Sequence, residues 1–555
     1  MRIKYLKILI LIIIFGKAIY SRSVPYEYKG RVLKSTGSIT KKPKADNNIF
    51  LIWDFNEGLQ NKLGGWGNPF QSGECEVEIE YSKEIKRGNN GRSLKITANK
   101  KANCFCGFWF HLFDMKKLPK EFLDISDFGY LSFFVRGENG GEDFLIKVAD
   151  ENWVKKEDSV PVGMASDYIK EGGISDTEWR EVVVPISEFK VDVKRFGQIT
   201  FEFLNNGKNI VYIDDITLKK TKSDIVKKFG DEFISEEKPI EREIKRALWV
   251  WHPEDYQTDD GMKKLIKFCN EKNINVLWCQ TLIRYYKITE EGESEVTDEE
   301  LTKYGEKLNI IAKFVNPEAD RKFLEYAHKN GIKEVHLLDG YKYYVLEQFH
   351  PKMLAQVKAV INFNHQAKDD YGKWDGVHHD NEPYLLDEFQ NPSLRQKIYR
   401  QYLELAQKIK NIIKLSNSNL KYGVDIPFWF DEPDEAMNFV GNAKFNNEEK
   451  PVSFHLLDIV DNIGIMDYRN FAYGPDGIIT HGKDEVEYAT KVGKEVYVGV
   501  ETIEIEPPKI TFFGKNEEYL NKVLNQTIEY FKSYKGFAGV AIHYYRTYKE
   551  LCEKK

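Results

Sequence analysis

The chain reads as two folds in series, an all-β sandwich followed by a (β/α)8 barrel. Three observations carry that reading. Short alternating apolar runs, separated by Gly-, Asn- and Asp-rich turns, fill residues 48–220. From about residue 246 apolar strands alternate with amphipathic helical stretches, the rhythm of a parallel sheet. The segment Trp374–Tyr384 reads as a buried strand ending in a cluster of acids, as the C-terminal rim of a barrel requires.

A chain of 555 residues exceeds one ordinary domain, and 42% hydrophobic with 14% aromatic content is that of a globular protein. The 81 basic and 87 acidic residues give a net charge of −6, without the basic excess that a nucleic-acid partner demands. Arg2, Lys4 and Lys7 precede the apolar run Ile8–Gly16, and Lys17 closes it. A spanning helix needs about 20 apolar residues. The run therefore predicts a signal peptide over residues 1–23, with an uncleaved anchor as the alternative. The expected location is secreted, periplasmic or cell-surface, with no membrane association beyond the export signal. Residues 24–47 and 221–245 read as linkers.

In the sandwich the clearest strands are Ile49–Trp53, Ser93–Ile96, Tyr130–Val135, Phe144–Val148, Glu181–Pro185 and Ile199–Phe203. Cys104 and Cys106 share a face of one strand, and either could pair with Cys75, whereas Cys269 and Cys279 read as buried small hydrophobes. The cysteine spacings match no zinc motif. Eight barrel strands follow at Ala247–Trp251, Asn275–Gln280, Glu334–Gly340, Gly376–Pro383, Tyr422–Trp429, Ile463–Asn470, Glu495–Ile503 and Gly539–Tyr545.

Side chains alternate along a strand. His378, Asp380 and Glu382 should therefore share a face of strand four, with His379 turned away. The same rule aligns Glu501 with Tyr497 and Gly499 on strand seven, and Tyr468 with Met466 on strand six, with Arg469 near the tip. Asp425 on strand five, His543 and Tyr545 on strand eight, and Trp249 and Trp251 on strand one complete a polar and aromatic ring. Unpaired buried polar groups cost free energy, so a ring of them points to chemistry rather than to stability.

Three stretches of the first domain resemble the jelly-roll carbohydrate-binding modules attached to polysaccharide hydrolases. They are Trp53-Asp54-Phe55-Asn56-Glu57-Gly58 with Asn61–Trp66, Glu178–Ile186, and Val211–Leu218. The resemblance implies a carbohydrate ligand and a structural Ca²⁺ with Asp54 and Asp215 among its oxygens. Trp66, Trp109 and Trp153 are its candidates for a sugar platform.

In the barrel, Asp375-Gly376-Val377-His378-His379-Asp380-Asn381-Glu382 resembles the chitinase-like glycoside hydrolase signature D-G-x-D-x-D-x-E. Met466-Asp467-Tyr468 resembles the Met-x-Tyr which that family carries on strand six. His378 departs from it, standing where the family has a carboxylate. Asn381-Glu382-Pro383 is also similar to the strand-four motif of clan A glycoside hydrolases, whose nucleophile falls where Glu501 stands. Both resemblances imply Glu382 as general acid and no catalytic cofactor; the clan A one adds Glu501, and the chitinase-like one Asp380 and Tyr468, to the catalytic set. Trp249, Trp251, Asp425, Arg469, His543 and Tyr545 are then the substrate-binding set. A clan A pair would place the carboxyls of Glu382 and Glu501 about 5–5.5 Å apart, and the charge of Asp380 would raise the pKa of Glu382. The expected function is an exported glycoside hydrolase acting on a poly- or oligosaccharide. The alternatives are a non-catalytic carbohydrate-binding or envelope protein, a metal-dependent polysaccharide hydrolase or deacetylase using His378 and Asp380, and a structural ion-pair cluster of the acids with Arg469.

Overall fold

The computed structural model describes residues 38–553 apart from 47, 57–59, 115–118, 171, 229–242, 432–440 and 475. The expected signal peptide, the first part of the first linker and most of the second lie outside the described residues.

The N-terminal unit is a two-sheet β-sandwich. One sheet runs Ser38–Lys41, Lys120–Leu123, Phe196–Glu202, Cys106–His111 and Gly67–Gln71, with Leu145–Asp150 and Val160–Met164 joined to it. The other runs Arg180–Pro185, Tyr130–Gly137, Gly207–Lys219, Ser93–Lys100 and Glu76–Ser82, with Ile49–Trp53 beside Gly207–Lys219. Alternation fills the space between them with aromatic rings. Trp53 meets Phe110 edge-on at 5.3 Å, and Phe133 lies 5.2 Å from Phe201. Cys75 pairs with Cys104 at a Cα separation of 5.9 Å, while Cys106 opens its strand and is buried inward. The expected linker 24–47 is corrected at its end, because Ser38–Lys41 is an edge strand running parallel to Lys120–Leu123.

The C-terminal unit is a closed eight-stranded barrel of parallel strands. In order they are Lys245–Val250, Val276–Gln280, Glu334–Asp339, Gly376–His379, Lys421–Pro427, Asn462–Met466, Glu495–Glu501 and Phe537–His543. Strand one thus begins inside the expected second linker. Helices follow the strands, and their ends carry ordinary stop and start signals. Thr258 caps Asp259–Glu271 by accepting from Gly261 N, and Asn391 caps Pro392–Leu415, with Pro392 at the first turn. Gly493, at φ 71°, ends Ile478–Val492.

Two departures from the expected pattern matter for the site. After strand two the chain inserts a three-stranded sheet, Ile283–Thr289, Gly292–Glu295 and Ile310–Phe314, with the helix Asp298–Tyr304 between its last two strands. Strands four and six also end earlier than expected, at His379 and Met466. Asp380, Glu382, Tyr468 and Arg469 therefore stand on the loops beyond, where strict alternation no longer sets direction.

The barrel interior is packed by large side chains set against glycines. A Cβ at Gly423 would stand 2.4 Å from His378 Nδ1, and one at Gly464 would stand 2.2 Å from Asp425 Oδ1. These two glycines make room for a histidine and a carboxylate in the barrel axis. At the N-terminal end, Glu334 accepts from Lys245 Nζ at 2.8 Å and from Lys421 Nζ at 2.9 Å, and lies 3.1 Å from His336 Nε2. Although burial opposes it, these partners hold the Glu334 carboxyl far below the usual carboxylate range. This charged plug closes the end of a barrel opposite its chemistry.

Candidate active site

The floor of the site is a hydrogen-bonded set from strands one, four and five. Asp425 accepts from Trp249 Nε1 at 2.9 Å and lies 2.8 Å from His378 Nε2, and its carboxylate is out of contact with solvent. Trp278 stacks on His378 at 3.9 Å and 13°. His378 thus faces the interior. His379 faces the other way, its Nε2 lying 2.9 Å from Gln356 Oε1, and burial pushes its pKa down to about 3.

Above this floor stand the two acids of the fourth loop. Asp380 N donates to Asp339 O at 2.9 Å, which continues the ladder one residue past strand four. Burial raises the pKa of the Asp380 carboxyl well above the ordinary value, and the charges of Glu382 and Asp425 add to this. Its Oδ1 is shielded from solvent and has no hydrogen-bond partner among the described residues. The Glu382 carboxyl is also raised by burial, but it accepts a hydrogen bond from the Tyr384 hydroxyl, which favours its charged form. The expected influence of Asp380 on Glu382 therefore runs the other way. Both carboxyls are thus raised, Asp380 by burial and two neighbouring charges, Glu382 by burial against the opposing Tyr384 bond.

Tyr468 closes the opposite side. Burial raises its hydroxyl pKa well above the usual value, with the charges of Glu501, Asp380, Asp425 and Glu382 adding to the shift. One hydroxyl thus feels four carboxylates, contributed by strands five and seven and by the loop after strand four. The Tyr468 ring lies 6.1 Å from that of His543. His543 Nδ1 stands 2.9 Å from Glu501 Oε2 and 3.1 Å from Oε1, and Trp251 Nε1 donates to His543 Nε2 at 2.8 Å. That bond makes Nε2 the acceptor, so Nδ1 carries the proton that is donated to Glu501. Glu501 Oε1 also accepts from Thr502 N at 2.7 Å and Ile503 N at 2.8 Å.

The structure thus gathers Asp380, Glu382, Asp425, Tyr468, Glu501, His543, Trp249 and Trp251 at one mouth. It does not gather the other two candidates. Tyr545 starts the last helix, 6% exposed, with its ring against Phe268 at 5.5 Å, because strand eight ends at His543 and alternation stops there. Arg469 is buried, with its guanidinium 5.0 Å over the Phe428 ring and Nη1 donating to the Tyr468 carbonyl at 2.7 Å. Among the described residues neither Asp380 nor Glu382 pairs with it, so the ion-pair cluster does not form. Tyr384 was missed, although its place two residues after Glu382 could have marked it as a neighbour of that acid.

The metal alternative does not fit these residues. His378 Nε2 is engaged by Asp425, and among the described residues no group of three His, Cys, Asp or Glu side chains is arranged to hold an ion. Cations stand beside both acids expected at the structural Ca²⁺. The Asp215 carboxylate is paired with Arg87 and lies 3.5 Å from Lys228 Nζ, and Asp54 lies 3.7 Å from Lys62 Nζ.

In the sandwich, Phe108 and Phe110 point inward and are fully buried, so Trp109 between them points outward and is partly exposed. Register places Asn68 and Thr200 directly opposite Trp109 on the neighbouring strands, with Lys147 beside Thr200. This is an aromatic ring among hydrogen-bonding groups. Trp66 is buried in the fold at 6% exposure. Trp153 packs on Phe113, Phe122, Ala149 and Val154, with the Lys156 ammonium 4.6 Å over its ring.

Comparison with known proteins follows the same division. The family model for carbohydrate binding domain 30 matches residues 59–220. A search of curated proteins finds no match. Among solved structures, the family 30 carbohydrate-binding module of a cellulosomal cellulase of Clostridium thermocellum is 19% identical, covering 29% of this chain and 93% of that one, with a TM-score of 0.24. The family 11 module of another cellulosomal cellulase of Clostridium thermocellum is 16% identical, covering 32% of this chain and 97% of that one, with a TM-score of 0.23. A chitinase from Ipomoea carnea is 11% identical, covering 54% of this chain and 94% of that one, with a TM-score of 0.30.

Proposed function

We propose that this protein is an exported glycoside hydrolase, with a barrel that cleaves a poly- or oligosaccharide and a sandwich that binds the same polymer. The single observation that supports it most is the Asp380–Glu382 pair at the barrel mouth, two half-buried carboxyls both raised by desolvation, with the Tyr384 hydroxyl bonded to Glu382 and Tyr468 within electrostatic reach of both. Cleaving a glycosidic bond needs a proton on the leaving oxygen and negative charge near the anomeric carbon. Glu382 delivers the proton as the C–O bond breaks and its electron pair leaves with the oxygen. Asp380 takes the negative charge when the proton passes to Glu382, and with Tyr468 it balances the positive charge at the anomeric carbon; water then adds to that carbon and gives its proton to the Glu382 carboxylate, which completes the hydrolysis. The raised pKa of both carboxyls favours the protonated form that a general acid needs. The family match over residues 59–220 supports a sugar ligand for the sandwich, and the apolar run Ile8–Gly16 supports export.

In this scheme Glu501 is a brace. Its Oε1 already serves two backbone N–H groups and His543, which leaves it poorly free to attack carbon. Its charge fixes the His543 tautomer and, through that, the Trp251 indole. Glu501→Gln is expected to lower kcat by about 10²-fold through misplacement of these rings. A nucleophile would instead lose turnover entirely, on aryl glycosides as well as on natural substrates, and steady-state kinetics on both separates the two roles.

Trp109→Ala tests the sandwich. Losing one stacked ring is expected to weaken binding to an insoluble polysaccharide by about tenfold, with kcat on a soluble short substrate unchanged. Pull-down isotherms on cellulose, mixed-linkage glucan and chitin measure this. Equal binding by the variant to every polymer the wild type binds would remove Trp109 from the platform.

A further inference from the structure

Resting on the hydrolase proposal above, we infer that Tyr341, on the loop after barrel strand three, is a sugar-stacking residue that extends the site beyond the sugar held at Glu382. Four observations place it there. The loop is pressed against the acids: a Cβ at Gly340 would stand 2.0 Å from the Asp380 carbonyl oxygen, and Tyr341 N donates to Asn381 Oδ1 at 3.3 Å. It is clamped to the fourth loop, because Lys342 Nζ donates to Leu385 O at 3.0 Å. The residues after it are anchored. Tyr343 and Tyr344 pack on the core formed by Leu301, Ile310, Phe349 and Ala355 behind the inserted sheet, and Lys352 Nζ sits 4.7 Å from the rings of both Tyr285 and Tyr344.

Tyr341 is the most exposed of the three tyrosines on this loop, at 36%, and its ring stands 5.2 Å from Tyr343 and 5.6 Å from Tyr344. An aromatic ring held rigidly, edge-braced by two others and adjoining a carbohydrate site offers contact area at little entropic cost. The inserted sheet then has a purpose: it fixes the platform at the rim. The occupant is a pyranose ring of the same chain that Glu382 cleaves, one or more sugars removed from the scissile bond. Tyr341 would therefore set a preference for long substrates over short ones.

The test uses the full chain with cellohexaose, a mixed-linkage β-1,3-1,4-glucan hexasaccharide and hexa-N-acetylchitohexaose, together with the shortest aryl glycoside that the wild type turns over. Tyr341→Ala is expected to lower kcat/KM about tenfold on the cleaved hexasaccharide, through KM. Turnover of the aryl glycoside should stay within about twofold, and Tyr341→Trp should restore the preference. Equal losses on both substrates, or no loss on either, would overturn the subsite while leaving the hydrolase standing. If the wild type cleaves none of these compounds, the hydrolase proposal falls, and the subsite falls with it.

Discussion

Glu382→Gln is expected to lower hydrolysis of an oligosaccharide by about 10³-fold or more, in the upper range for loss of a positioned general acid, while leaving affinity for the same oligosaccharide within about threefold. The substitution keeps volume and can still accept the Tyr384 hydroxyl bond, so packing around Trp429 and Phe430, which lie against Tyr384, should hold. What is lost is the proton. Reducing-end release measures the first quantity and calorimetric titration the second. Loss of both together would mean that the variant had disturbed the pocket and not the chemistry.

Asp380→Asn is expected to cost about 10²-fold in kcat, because the group that stores the proton and then carries the negative charge is gone. Its pH profile is more telling. Asp380 is raised by burial and by the charge of Glu382, and Glu382 by burial. Activity that needs the acid's proton is lost as pH rises through the raised pKa. Removing one carboxylate removes the repulsion, so the basic limb of kcat/KM should move to lower pH. Stability should move the opposite way to activity. A carboxyl with a folded-state pKa above its unfolded value supports the fold below the unfolded value, and that support is lost as pH rises through the folded one. The neutral amide avoids this cost, so the variant should be at least as stable as the wild type at pH 7. A basic limb that stays in place would refute the coupling between these two acids.

Much of this architecture was legible in the chain because it depends on period. Alternation at Phe108–Phe110 and the apolar runs of the eight strands follow from burial alone, and each expected strand overlaps an observed one. The site was legible in part for the same reason, since Trp249, Asp425 and Glu501 stand on regular strands, as does His378. It failed where regularity stops. Tyr545 turns away because the chain enters a helix two residues after His543, and Arg469 turns away because strand six ends at Met466. The hydrogen-bond roles were not legible either. Nothing in the residue order says that two backbone N–H groups close on Glu501, or that Tyr384 reaches back to Glu382. The inserted sheet after strand two is short, and apart from Ile310 its residues are half-exposed or exposed, so it carries no strong period to read.

The central claim is that Glu382 donates a proton to the leaving oxygen, and a leaving-group series tests it most directly. Rates for aryl glycosides of one sugar, with phenols spanning several pKa units, would be compared between the wild type and Glu382→Gln. Proton donation predicts a shallow dependence on phenol acidity in the wild type and a steep one in the variant, with the two rates converging for the best leaving group. Parallel lines of equal slope would contradict it, because the variant would then have lost something other than an acid.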